Sequence, residues 1–388
     1  MSRVTEEPTV TRCASEGVSW LETGRPGLTE LHATAAPSST LDLSPVEQAR
    51  QAYLALTRWA SERGAIIVAE RVFCTLAHAN AIAAARSECC LPGAGSWPVT
   101  YLEGGPVIGE GLAGVQITAV ANAATRPVKT AEGIEGVRVT IGGMDLLYLA
   151  GMTIRDAGEG LAEATYGMFH EASTALDALG AGYADVVRTW IYLRDILSWY
   201  DEFNEGRTRF YRGLVPPHAD HPWPPASTGI EVSPQGDAWG AMDLLAVTGP
   251  GRSETTIEAI QSPAQRSPEV YGSCFSRASV LEFGGVATMY VSGTASIDLA
   301  GQSVYLDDLE AQTEFTLANV EALLMSKGMS RSSFLPSTLF VKPGCDPARA
   351  RAVVENWDPL AAQGIWVKAD VCRGDLLFEV DGVSAVAC

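Results

Sequence analysis

Glu379 is the residue best placed to do chemistry in this chain of 388 residues. It stands in Leu376-Leu377-Phe378-Glu379-Val380, an apolar run that reads as a strand. Burial in such a run raises a carboxyl pKa, because the charged form loses its water. Asp370, Asp375 and Asp381 lie close in sequence and would add like-charge repulsion. An acid kept protonated in this way is a candidate general acid. The alternative is an outward-facing polar residue in an alternating strand. Cys372 precedes Glu379 with no base visible beside it, so it does not read as a nucleophile. It reads equally as a small buried hydrophobe. Gly293-Thr294 is no phosphate loop, since no Lys follows at P-loop spacing. Trp190, Trp199 and Trp239 read as core. None of the five histidines has metal-ligand spacing, and the eight cysteines contain no C-x-x-C pair. No metal or other cofactor is expected, and the thiols, including adjacent Cys89 and Cys90, read as reduced and cytosolic.

The charge balance narrows the partners. Lys+Arg total 27 against 46 Asp+Glu, a net charge of −19. That argues against nucleic-acid or anionic-membrane binding, which needs a positive surface. A small anionic substrate is compatible with it if a few arginines are held in a pocket. The first 15 residues carry no apolar stretch of the signal-peptide kind. No window approaches the ~18 apolar residues of a membrane span. A cytoplasmic location is the expectation. At 47% hydrophobic residues the chain is globular, and its length implies two or three domains.

The elements that would carry Glu379 recur. In the middle of the chain 146–154 reads as a strand, 160–179 as a helix stopped by Gly180, and 186–193 as a strand. A helix over 198–212 and strands over 225–232 and 241–247 follow. The order repeats with strand 289–297, helix 308–326 stopped by Gly328, strand 338–341 and helix 347–357. Strands 366–372 and 376–380 close that copy. A weaker copy comes first: strand 31–36, helix 45–63 capped by Ser44 with Pro45 at its first position, Gly64, strand 66–73, helix 77–89 and strand 114–120. Polar segments 121–135 and 248–264 read as linkers. The expected domains are 1–125, 138–250 and 265–388. Alternation of this kind predicts an α+β fold, helices on one face of a mixed sheet. Three units would close a pseudo-threefold barrel with helices outside; the alternative is two repeats and an unrelated N-terminal domain. Aligned closing strands put Gln116, Asp243 and Glu379 at one place.

This unit order is similar to the RidA-like (chorismate-mutase-like) fold, whose trimers close such a barrel with sites at subunit interfaces. Residues 138–388 more closely resemble the chorismatase family. One stretch is Arg188-Thr189-Trp190-Ile191-Tyr192 with Tyr200, Phe203-Asn204, Gly206-Arg207 and Phe210. Another is Val270-Tyr271-Gly272 with Phe275-Ser276-Arg277-Ala278 and Ser292-Gly293-Thr294-Ala295-Ser296-Ile297. The third runs from Ala369-Asp370-Val371-Cys372-Arg373 through Asp375-Leu376-Leu377 to Glu379. The sequence departs from the family at Ile191, where Asn is usual, and in 262–277, which is shorter and lacks Pro after Tyr271-Gly272.

The resemblance implies an enzyme of secondary metabolism that cleaves the enol ether of chorismate or a close analogue, releasing pyruvate and giving a hydroxybenzoate or a dihydrodiol acid. Without a metal, that requires protonating the methylene carbon, and the oxocarbenium ion formed is trapped by water or a nearby hydroxyl. By resemblance the acid is Glu379. The two carboxylates of chorismate call for convergent donors. Arg207 is the first choice by family match. Lys368, Arg373, Tyr192, Tyr271, Thr294, Ala295 and Cys372 complete the expected substrate contacts, and a cysteine at 372 resembles the hydroxybenzoate-forming branch. For any of these arginines or for Lys368 the alternative is a solvated surface pair. A RidA-like imine hydrolase is the competing enzyme, but Ser227 stands where that activity uses arginine, and 364–368 offers none. A non-catalytic protein that binds aromatic acids is the other alternative. Three units in one chain would allow a monomer or small homo-oligomer.

Overall fold

Each repeat folds into one six-stranded sheet with two helices. The computed structural model describes residues 7–388 apart from 90, 92, 94, 157 and 215–223, and apart from the side chain of Tyr271. The first unit holds β1 (Thr9–Ser15), β2 (Val18–Arg25), β3 (Leu28–Ala35), α1 (Pro45–Glu62), β4 (Ile66–Cys74), α2 (Ala79–Glu88), β5 (Val99–Glu103) and β6 (Leu112–Ala121). The second holds β7 (Ala124–Lys129), β8 (Glu135–Ile141), β9 (Met144–Ile154), α3 (Leu161–Ala178), β10 (Val186–Leu193), α4 (Ile196–Gly213), β11 (Ala226–Glu231) and β12 (Gly240–Thr248). The third holds β13 (Thr256–Ile260), β14 (Ala278–Phe283), β15 (Val286–Ala295), α5 (Leu309–Met325), β16 (Phe334–Val341), α6 (Pro347–Trp357), β17 (Ile365–Lys368) and β18 (Phe378–Ala387). All three sheets share one strand order, β1-β2-β3-β6-β4-β5 in the first. The edge pairs β4–β5, β10–β11 and β16–β17 are parallel.

Local chemistry sets the helix ends. Ser44 and Glu47 form a capping box ahead of α1, with Pro45 at its start. Asp308 caps α5 by accepting from the Ala311 N–H. Gly64, Gly180 and Gly328 follow helices with φ of +57°, +79° and +69°, a region that disfavours a Cβ.

Two expected linkers are strands. Segment 121–135 contains β7, and 248–264 contains β13. Both are outermost in their sheets, paired on one side only, so their polar composition is that of an edge. Strands β1, β2 and β5 complete the first unit and were not visible as apolar runs. The strand expected over 366–372 stops at Lys368, and β18 runs on to Ala387. Cys90, half of the adjacent cysteine pair, lies outside the described residues.

The helices cover outer faces, and the inner faces of the sheets meet in a common core. At its centre Phe73 packs edge-on against Tyr192 (6.3 Å) and Phe340 (6.4 Å), one aromatic from each unit. These three pair across their sheets with Gly114, Ala241 and Glu379. The true counterparts of Glu379 are therefore Gly114 and Ala241. Gln116 and Asp243 instead match Asp381, pairing with Arg71, Trp190 and Thr338 respectively. A two-residue offset of this kind preserves the face of the strand, so alternation cannot reveal it.

Candidate active site

A cleft of about 200 Å³ opens between the second and third units. One face of α4 lines it with Tyr200, Asp201, Asn204 and Arg207, at helical spacing. The strands contribute alternate residues: Ser227 and Gly229 from β11, then Gly293, Ala295 and Ile297 along and just beyond β15. Ser273, Phe275 and Arg277 come from the approach to β14. Cys372, Arg373 and Glu379 close the lining. The seam beneath is stitched by Ala226 N–H to Ser279 Oγ (2.8 Å) and Ser227 N–H to Ser292 Oγ (2.9 Å).

Glu379 is 4% exposed and pairs in β18 with Ala295 of β15. Its carboxyl lies against the β15 backbone at Gly293, where a Cβ would sit only 2.2 Å from Oε1. Burial first, then the like charge of Asp381, pushes its pKa up to about 8, against the opposite pull of Arg277 and Arg188. Of the three aspartates expected to repel it, only Asp381 does. Asp370 is paired with Lys342, and Asp375 accepts from Ser303 Oγ at 2.9 Å.

Arg207 is 2% exposed. Its helix approaches α3 closely because Gly206 has no side chain; a Cβ there would lie 2.3 Å from the Ala162 carbonyl oxygen. The guanidinium lies over Phe203 (4.9 Å) and Phe275 (5.7 Å), and Nη2 donates to Asn204 Oδ1 at 2.5 Å. Among the described residues it pairs with no carboxylate, and its buried Nε has no hydrogen-bond partner. A buried cation without an anion is costly, and an incoming carboxylate offsets that cost. Arg277, 1% exposed, is a second buried guanidinium on this wall; Nη2 donates to the Arg266 carbonyl at 2.9 Å. It stood in the Phe275-Ser276-Arg277-Ala278 stretch but was not among the expected site residues. Asn204, Ser227 and Gly229 were also missed as contacts, although alternation on β11 could have paired the last two.

Cys372 faces the cleft, with burial and the nearby Glu379 charge raising its thiol to about 12, so it is neutral there. Arg373 lies beside it, with Nη1 donating to the Gly301 carbonyl at 2.9 Å. Both reach the cleft because β17 has ended. Three expected contacts lie elsewhere. Tyr192 points to the barrel centre against Phe73. Thr294 faces away from its neighbours Gly293 and Ala295 and donates to the Ser292 carbonyl. Lys368 is exposed on the edge strand β17, where its N–H donates to the Gly105 carbonyl of the first unit. The Tyr271 side chain lies outside the described residues. Among the described residues no group of three or more His, Cys, Asp or Glu is placed to hold a metal ion. No described helix is long and apolar enough to cross a membrane.

No family model matches the chain. A 3-hydroxybenzoate synthase of Streptomyces hygroscopicus is 28% identical over 225 residues, 52% of this chain. The match spans 64% of that relative, just under two thirds of its length. A crystal structure of a chorismatase matches 93% of this chain and 99% of its own, with a TM-score of 0.62 and 18% identity. The chain therefore has the fold of that chorismatase. A Rid-family protein of unknown function from Yersinia pestis is 22% identical over 29% of this chain and 86% of its own, at a TM-score of 0.24.

Proposed function

We propose that this chain releases pyruvate from chorismate or a close analogue, with Glu379 protonating the methylene carbon of the enol ether. The observation that carries the reading is a buried carboxyl, its pKa pushed up by that burial, facing a cleft with two buried guanidiniums, Arg207 and Arg277. The proton leaves the Glu379 carboxyl for the methylene carbon, whose π electrons form the new C–H bond. Positive charge appears on the ether-bearing carbon as an oxocarbenium ion. In the hydrolytic branch water adds there, the ether C–O bond of the hemiketal breaks, and pyruvate leaves. In the aromatising branch the neighbouring substrate hydroxyl adds there to close a cyclic ketal. Its ring C–O bond then breaks as a ring C–H proton passes to that oxygen, and the ring becomes aromatic. The ether C–O bond of the resulting hemiketal breaks to give the phenol and pyruvate, which keeps the former hydroxyl oxygen. The proton released on addition restores Glu379. Arg207 takes one substrate carboxylate and Arg277 the other, which fixes the methylene relative to the acid.

Of the two outcomes, hydroxybenzoate formation is the one we assign. It is supported by the neutral thiol of Cys372 in the cleft and by the name of the Streptomyces relative. Hydroxybenzoate and pyruvate together contain the atoms of chorismate, whereas a dihydrodiol acid contains one water more. Product masses after incubation with chorismate and with isochorismate-type analogues decide both substrate and outcome. Run in deuterated water, the reaction should place one deuterium in the pyruvate methyl group. Pyruvate free of solvent hydrogen, or no pyruvate from any of these substrates, overturns the reading.

A further inference from the structure

Behind Glu379 lies a buried carboxylate that the proposed reaction does not use. We propose that Asp381 is a positioning residue of the site: anchored as a carboxylate by Arg188 and Thr228 of the second unit, it keeps the proton on Glu379 between turnovers. This rests on the reading of Glu379 as the acid.

Asp381 and Glu379 are two apart on β18, so both face the barrel interior. Arg188 Nη2 lies 3.1 Å from Asp381 Oδ2, and Thr228 Oγ1 donates to the same oxygen at 2.8 Å. Oδ1 is buried without a hydrogen-bond partner. The charge of Asp381 is thus held through Oδ2, with the Arg71 guanidinium of the first unit and the Thr338 N–H of the neighbouring strand β16 also acting on the carboxyl. Among the described residues Glu379 has neither an ion pair nor a hydrogen bond, and its anion is opposed only by the more distant pull of Arg277 and Arg188. When the two carboxyls share one charge, Asp381 therefore takes it, and the proton stays on Glu379. The other groups facing Glu379 are Arg188 from β10, Arg277 from the approach to β14, and Cys372. Burial leaves Asp381 above the ordinary aspartate value, and Arg188, Thr228, the Arg71 guanidinium and the Thr338 N–H oppose that rise.

The molecule carries its own control. Asp243, the counterpart of Asp381, is held alike by Arg71 Nε (2.7 Å) and by Thr100 Oγ1 (3.1 Å) of the first unit. Ala241 stands there in place of Glu379. If the clamp only joins units, both aspartates should behave alike.

The test compares kcat/KM against pH, and melting temperature, for wild type, Asp381→Asn, Asp381→Glu and Asp243→Asn. Asp381→Asn should move the alkaline limb down on the order of one pH unit, while Asp381→Glu retains it. Asp243→Asn should lower the melting temperature comparably and leave the limb in place. An unmoved limb in Asp381→Asn, or an equal shift in Asp243→Asn, overturns the inference. Should Asp381→Asn melt too low to assay, Asp381→Asn with Arg188→Gln leaves no charge unpaired. Its limb should still fall, by less, because Asp381 acts on Glu379 more strongly than Arg188 does. A wild-type limb in that double variant also overturns it. Full activity in Glu379→Gln would instead remove the reading of the acid itself, wherever the limb lies.

Discussion

The seam between the first and second units and the seam between the second and third are built from the same parts and end differently. Each has an aspartate on a closing strand, held by an arginine and a threonine of the preceding unit. At the first seam Ala241 occupies the position of Glu379, and a cavity of about 10 Å³ remains. At the second the acid is present and the cleft is about 200 Å³. The helix arginines differ in the same sense. Arg86 of α2 is bound to buried Glu70, 2.7 Å away, which also accepts from Trp97 and Tyr53. Arg207 of α4 has no such anion. The remaining seam is closed by Ile365 of β17, pressed so near Gly114 that a Cβ there would lie 2.7 Å from it. Where charges are satisfied within the protein, the seam is structural. Where a buried cation and a buried carboxyl of raised pKa face an open cleft, it can be a site.

The largest effect that would break this comparison is at the acid. Glu379→Gln keeps the shape and polarity of the side chain but cannot donate the carboxyl proton. Turnover should fall ~10²–10⁴-fold while substrate still binds, as calorimetry would show. Comparable turnover in the variant would make the two seams functionally alike.

Gly293→Ala comes next. Its Cβ would meet Oε1 at 2.2 Å and displace the carboxyl, for a loss in kcat on the order of 10²-fold. Gly151, at the matching kink of β9, has φ +93° and only the Glu135 nitrogen within 4.0 Å of its Cβ position. Gly151→Ala should therefore cost stability and leave kcat alone. Equal kinetic losses would refute the role given to Gly293.

The arginines should separate affinity from stability. A carboxylate-to-arginine bond is worth ~1.5–3 kcal/mol, so Arg207→Ala should weaken apparent affinity on the order of 10- to 100-fold. Arg86→Ala leaves Glu70 buried without its cation and should cost about 3–5 kcal/mol in denaturant unfolding, with KM unchanged. The reverse pattern would mean that the wrong seam has been read as the site.

The mildest test is pH. Only protonated Glu379 can act, and its pKa lies at about 8, so activity should hold below that and decline above it. The decline should approach tenfold per pH unit in a stopped assay of pyruvate. Activity still rising well above pH 8 would place the essential proton elsewhere.

Much of the architecture was legible from local rules. Apolar periodicity revealed the repeated helices and central strands, and the three glycine stops marked where helices had to end. Glu379 was a candidate because it sits in the apolar run Leu376–Val380, and the family resemblance singled it out from an outward-facing polar residue. The edge strands β7 and β13 were not legible, since pairing on one side demands little of composition. The residues themselves determined the repeated unit and its helix ends, and with the family resemblance they made Glu379 the candidate acid. Tertiary structure alone decided which seam is open, which counterpart Glu379 has, and which arginines reach it. It turned Tyr192 and Thr294 away and brought Arg277 in. The reason is physical: register, bulges and charge pairing act between distant segments. Arg188 and Asp381 lie 193 residues apart in the chain, and no local pattern encodes their contact.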